Sequence, residues 1–162
     1  MRRSSYLLLL ISVALFLHLF NSLPTTRSSK ELTEYMSIFK YEMESRGVKL
    51  DYSDLKLGFS DSIDYPNAVG LYVPTPATNY IVILQNYYSK ASPEVQEALI
   101  AHELGHAFGL EHDDKMAFLF PSNCPYTVMH SSDSMENCFH KYRKYYYDIL
   151  AEEIKRLDAY TE

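Results

Sequence analysis

Eleven residues in the second half of the chain constrain what it can fold into more than any other feature. His102-Glu103-Leu104-Gly105-His106-Ala107-Phe108-Gly109-Leu110-Glu111-His112 sets three imidazoles and a carboxylate at fixed spacings. His102 and His106 are four residues apart, so on a helix they lie one above the other on one face. Two neutral imidazoles so placed reach one zinc ion at about 2.0–2.1 Å each. Gly109 can take positive φ, which lets the chain leave the helix sharply. That turn brings His112 back as a third ligand. Three protein ligands leave one position of a tetrahedral ion open to water, as in a catalytic rather than a structural centre. Glu103 directly follows the first histidine and is placed to take a proton from the attacking water. Two surface histidines can meet the first five positions by accident. Gly109 and His112 at their spacings make accident a poor account.

The flanking residues supply the helix this geometry needs. Ser92 suits an N-cap, Pro93 the first helical position, and Glu94 the positive end of the helix dipole. Val95, Ala98, Leu99, Leu104 and Phe108 recur at helical spacing, so a helix is expected over residues 93–108. Upstream, Ser29 can cap a helix over 30–46 with an apolar stripe of Leu32, Tyr35, Met36, Phe39 and Met43, ended by Gly47. Four strand-like runs follow, at 48–52 (the weakest), 55–59, 68–73 and 80–84. Residues 113–136 show no period and read as a long loop. A last helix is expected over 137–159, with Phe139, Tyr142, Tyr146, Ile149, Leu150, Ile154 and Leu157 facing inward. A helix sends Tyr145, Tyr146 and Tyr147 in different directions, so a partly buried, partly wet run is expected there.

Length allows one domain. The chain has 162 residues, and the first 26 read as a leader and linker, leaving 27–162 for a single core. Arg2 and Arg3 precede a mostly apolar run at residues 6–20, which Pro24 closes. That length fits a signal-peptide core and is short for a membrane span of about 20 residues. No Ala-x-Ala follows, so a cleaved leader and a retained anchor through residues 6–20 both stay open. Either implies export, to a secreted, periplasmic or membrane-anchored position. The formal net charge of −6 becomes −8 once Arg2 and Arg3 leave with the leader, and no basic stripe remains, which argues against nucleic-acid binding. The two cysteines, Cys124 and Cys138, point in an exported chain to one disulfide rather than two buried thiols.

These residues resemble the metzincin clan of zinc endopeptidases. The resemblance rests on residues 102–112, on the order helix, strands, zinc helix, loop and C-terminal helix, and on a methionine turn. The clan places a methionine on a tight turn beneath the ligands. Met116 is too close to His112 for this and Met135 stays open, but Met129, in Cys124-Pro125-Tyr126-Thr127-Val128-Met129-His130, is the preferred candidate. Cys124 and Cys138 bracket it, which is similar to small snapalysin-type members and more loosely to adamalysins. A disulfide there would pin the turn. Asp113 also resembles those groups and implies a supporting position rather than a ligand. Two departures stand out. Ser131 occupies the place where many metzincins carry a tyrosine that helps stabilise the transition state, with Tyr126 or Tyr142 as candidate substitutes. His112 stands where snapalysins commonly have aspartate.

The resemblance implies an α+β fold: an N-terminal helix, a mixed twisted sheet of about four strands, the zinc helix, a long methionine-turn loop and a C-terminal helix. It implies an exported, monomeric endopeptidase with one Zn2+ on His102, His106 and His112 and with Glu103 as general base, acting on proteins or peptides. The substrate would lie along the strand edge at 68–73. There Gly70 would allow its close approach, or else mark a bulge. Residues 130–134 would wall a specificity pocket. The alternative is a non-catalytic zinc-containing binding protein, secreted or membrane-anchored, derived from a protease fold. A different resident metal also remains open.

Overall fold

A computed structural model of the chain describes residues 29–119, 122–131 and 136–161. The leader at 1–26, most of the linker, Met135 and most of the expected pocket wall at 130–134 lie outside the described residues.

The first helix, α1, spans Ser29–Ser45. Leu32, Phe39 and Met43 are fully buried, with Tyr35 and Met36 packed beside them. This is the stripe that periodicity predicts. Ser29 is already helical, so it is not the cap. Gly47 has φ +77°, and the bonds Gly47 N–H to Glu44 C=O and Val48 N–H to Met43 C=O, each 3.0 Å, close the helix end.

Three strands form the sheet: β1 (Leu55–Ser60), β2 (Gly70–Val73) and β3 (Asn79–Leu84). Their order is β1-β3-β2. β1 runs parallel to β3, and β2 antiparallel to it, with Gly70 opposite Ile83 and Val73 opposite Tyr80. Residues 61–69 therefore carry the chain past β3 to the far edge, which leaves β2 at the margin of the sheet beside the zinc-motif helix. The fourth strand expected at 48–52 is absent. Val48 is buried as part of the helix stop, the Asp51 carboxylate accepts the Ser53 N–H at 2.9 Å, and the Tyr52 C=O accepts from Leu55. A local turn therefore satisfies backbone groups that a strand would have paired. The apolar side chains that suggested a strand serve the core instead, Tyr52 edge-on to Phe108 with ring centres 5.1 Å apart.

A short helical turn, α2 (Gln85–Tyr88), leads into α3 (Pro93–Ala107). Ser92 caps α3, its hydroxyl accepting the Val95 N–H at 3.4 Å, and Pro93 takes the first helical position. Gly109 has φ +91°, and the Leu110 N–H returns to the Gly105 C=O at 3.0 Å. The chain thus turns sharply after Ala107, as Gly109 predicts.

The stretch expected to be a plain loop contains a hairpin. β4 (Met116–Leu119) pairs antiparallel with β5 (Ser122–Pro125). Its strands are short and lack alternation, so periodicity carries no trace of them. The last helix, α4, spans Glu136–Thr161 with a break in helical geometry at Tyr142. Phe139, Tyr146, Leu150 and Ile154 are buried as expected. Leu157 is not, at 37 % exposure. In the tyrosine run Tyr146 and Tyr147 are fully buried and Tyr145 is half-buried. The Tyr146 hydroxyl donates to the Pro125 C=O at 3.1 Å, and that of Tyr147 to Glu97 Oε1 at 2.9 Å. Their polar ends are satisfied inside, which is what allows whole rings into the core. A disulfide joins Cys124 to Cys138 and so ties β5 to α4. Among the described residues, no helix is long and apolar enough to cross a membrane.

Candidate metal centre

α3 carries the first two histidines and the Gly109 turn returns the third. The Nε2 atoms of His102 and His106 lie 3.0 Å apart, those of His102 and His112 3.2 Å, and those of His106 and His112 3.1 Å. Among the described residues this is the only histidine, cysteine or carboxylate group of three that could hold a metal. Ligands at about 2.0–2.1 Å in tetrahedral directions would sit about 3.3–3.4 Å from one another, so the triangle has the size a zinc ion needs.

The opposite ends of the rings are fixed. His102 Nδ1 lies 2.8 Å from the Val128 C=O, and His106 Nδ1 lies 2.8 Å from the Leu110 C=O. A carbonyl only accepts, so each Nδ1 carries the proton and each Nε2 presents a lone pair. Burial lowers the His102 pKa to about 4 against the opposing pull of the Val128 carbonyl, and burial lowers that of His106 in the same sense. Both rings are therefore neutral near pH 7, the form that binds metal. Two such lone pairs 3.0 Å apart repel, and a cation between them relieves the repulsion. This donor set fits zinc.

Glu103, the next residue along α3, packs against β2. It is 4 % exposed, and its Oε2 is buried without a hydrogen-bond partner. Burial pushes its carboxyl up to about 8, and the Tyr72 backbone N–H on β2 offsets only part of that. A Cβ on Gly70 would lie 2.3 Å from Glu103 Oε1 and 2.8 Å from its Cγ. The close approach at Gly70 is thus that of Glu103. No local signal in the sequence shows that the helix carboxylate rests on this strand.

Met129 is fully buried beneath α3, and a Cβ on Gly105 would meet its Sδ at 2.3 Å. The turn holding it is anchored on all sides. The Asp113 N–H donates to the Met129 C=O at 3.0 Å, the Tyr126 N–H to the Lys115 C=O at 2.9 Å, and the Ser131 N–H to Asp114 Oδ1 at 2.9 Å. The Asp113 carboxylate faces Lys115, with Oδ2 to Nζ 2.9 Å, and is not a member of the histidine cluster.

Gly105, Val128 and Leu110 escaped the sequence reading. Gly105 carried a usable signal, since glycine inside a helix costs about 1 kcal/mol relative to alanine and needs a packing reason. The two carbonyls carried none, because a backbone acceptor has no residue identity.

The three histidines and Glu103 line a cleft of about 610 Å³ together with residues 65–72, Val95 and Leu99 of α3, and Val128, His130 and Ser131. Tyr65, Tyr72 and Tyr87 line it, whereas Tyr126 and Tyr142 do not. Tyr126 instead stacks edge-on against Tyr145.

Residues 14–113, well over half of the chain, match the Metallo-peptidase family M12B Reprolysin-like. No curated protein and no solved structure matches the chain. The family match ends at Asp113, so Met129 and the disulfide stand on the structure alone. A family match reaching through the whole histidine motif, together with a three-histidine cluster of zinc dimensions, shows that this chain belongs to the reprolysin-like M12B metallopeptidases.

Proposed function

We propose that the chain is an exported zinc endopeptidase in which His102, His106 and His112 hold the metal and Glu103 is the general base. The observation that carries this reading is the juxtaposition of three convergent imidazole nitrogens and a buried, half-unpartnered carboxylate in one open cleft. Zinc held by the three histidines would supply a Lewis acid for the scissile carbonyl and lower the pKa of the attacking water. Glu103 would take a proton from that attacking water and return it to the leaving amine. Gly70 and the Tyr72 N–H hold the carboxylate in place. The open edge of β2 binds the substrate as an added strand, with main-chain hydrogen bonds that accept many side chains. Val95 and Leu99 offer an apolar floor to one of them. The reading of residues 6–20 as a leader supports export.

The test compares full-length wild type with Glu103→Gln and His112→Ala, scoring metal content and cleavage of a denatured protein mixture. The reading expects about one zinc per chain in wild type and Glu103→Gln, cleavage in wild type alone, and weakened zinc in His112→Ala. Zinc in both without cleavage by either would favour a binding protein. Full activity of Glu103→Gln would refute its assigned role.

A further inference from the structure

The proposed mechanism does not use a second carboxylate near the centre, Glu153. It lies on α4, half-buried, with Oε2 accepting the Thr127 hydroxyl at 3.1 Å. Thr127 is fully buried, and its Oγ1 also accepts the Met129 N–H at 3.3 Å. Between them sits Val128, whose carbonyl holds His102 Nδ1 at 2.8 Å. Burial pushes the Glu153 carboxyl above its ordinary range, the Thr127 hydroxyl opposes this, and Asp113 adds to it. A carboxylate in this place is costly, and what it holds is the turn that orients a metal ligand.

We infer that Glu153 is a positioning residue for the metal centre, acting through Thr127 on residues 127–129 and through the Val128 carbonyl on His102. The inference rests on the zinc reading above. The carbonyl fixes the tautomer and the plane of the His102 ring. Partners of this kind govern metal affinity by about 10–100-fold when lost. With the Thr127 hydroxyl free to rotate away, the Met129 N–H loses its acceptor, and the Val128 carbonyl loses one of the bonds that fix its direction.

The experiment measures the zinc affinity of the full-length protein by competition with a chromogenic chelator. The variants are Thr127→Val, Glu153→Leu, their double variant, and the conservative Thr127→Ser and Glu153→Gln, with circular dichroism of each zinc-free form. Thr127→Val and Glu153→Leu are expected to weaken zinc by about 10-fold, the lower end of the loss when a ligand's own partner is removed. The double variant should be no worse than the weaker-binding single, since both break one chain of contacts. Thr127→Ser and Glu153→Gln keep the hydroxyl and the acceptor oxygen, so they should stay within about threefold of wild type. Normal zinc uptake by wild type with unchanged affinity in Thr127→Val and Glu153→Leu would overturn the inference alone, as would additive losses in the double variant. No zinc uptake by wild type would overturn the zinc reading and the inference together. If Glu153→Leu unfolds the zinc-free chain, Thr127→Val against Thr127→Ser decides the matter.

Discussion

Gly70→Ala tests how the Glu103 carboxylate is held. The added Cβ would lie 2.3 Å from Oε1, 2.7 Å from Cδ and 2.8 Å from Cγ of Glu103. Carbon atoms pack at about 3.5–4.0 Å, so the side chain must withdraw by about 1 Å along most of its length. A swing of the carboxylate tip alone does not relieve the contact at Cγ. Gly70 does not have positive φ, so alanine brings no backbone strain and the effect is steric. A displacement of about 1 Å at a reacting group costs about 100-fold in rate, or about 2.7 kcal/mol of barrier. The three imidazoles are held by Val128, Leu110 and the Gly109 turn, and the added Cβ meets Glu103 first, so zinc should remain at the wild-type level. The assay is kcat/KM on a quenched fluorescent peptide, with metal content measured on the same samples. Activity within about threefold of wild type would show that Glu103 does not depend on this packing and would refute the reasoning. Loss of zinc along with activity would show that β2 supports the ligands as well.

Gly105→Ala should destabilise the fold despite alanine's better helix propensity. Its Cβ meets Met129 Sδ at 2.3 Å, and overpacking of that kind costs about 1–3 kcal/mol; a raised urea midpoint would contradict the packing described. Cys138→Ser should remove about 3 kcal/mol by freeing a loop of 14-residue separation, read by urea unfolding under non-reducing conditions. Glu42 gives a pH dependence. Its burial raises the carboxyl pKa, but hydrogen bonds from Arg143 and Arg46 outweigh that and leave it below the ordinary 4.5. A depressed folded-state pKa stabilises the fold above the unfolded value, and that stability is lost as pH falls through the folded one. Unfolding free energy should therefore decline below about pH 4.5 with a component absent from Glu42→Gln, and parallel profiles for the two proteins would exclude the linkage.

The parts of this protein written as local patterns were legible in the sequence. The Ser92–Pro93 start, the Gly47 and Gly109 stops, and the stripes of α1 and α4 each depend on residues within a turn or two. Strands β1, β2 and β3 were recognisable as apolar runs, with ends displaced by one or two residues. Non-local arrangements were not legible. Residues 48–52 look like a strand until Asp51 closes a turn on Ser53. The β4–β5 hairpin has too few residues to show a period. Which rings of the tyrosine run are buried is not written locally: Tyr147 goes inside because Glu97, fifty positions earlier, receives its hydroxyl. At the centre itself, ligand spacing is a property of one helix and one turn, so the three histidines could be read together. The support comes from Tyr72, Val128 and Thr127, which approach from other elements and have no fixed spacing to the motif.

The anchoring of residues 127–129 by α4 also sets an order of events during synthesis. All three histidines leave the ribosome before Val128, and Val128 before the helix that steadies it; His102 to Val128 and Thr127 to Glu153 each span 26 residues. An emerging chain therefore exposes three free imidazoles with nothing to restrict their tautomers or directions. Until α4 docks, the turn that fixes the His102 ring lacks its contact with that helix. If the centre takes zinc as proposed, its preference for that ion belongs to the complete fold and not to the eleven-residue motif alone.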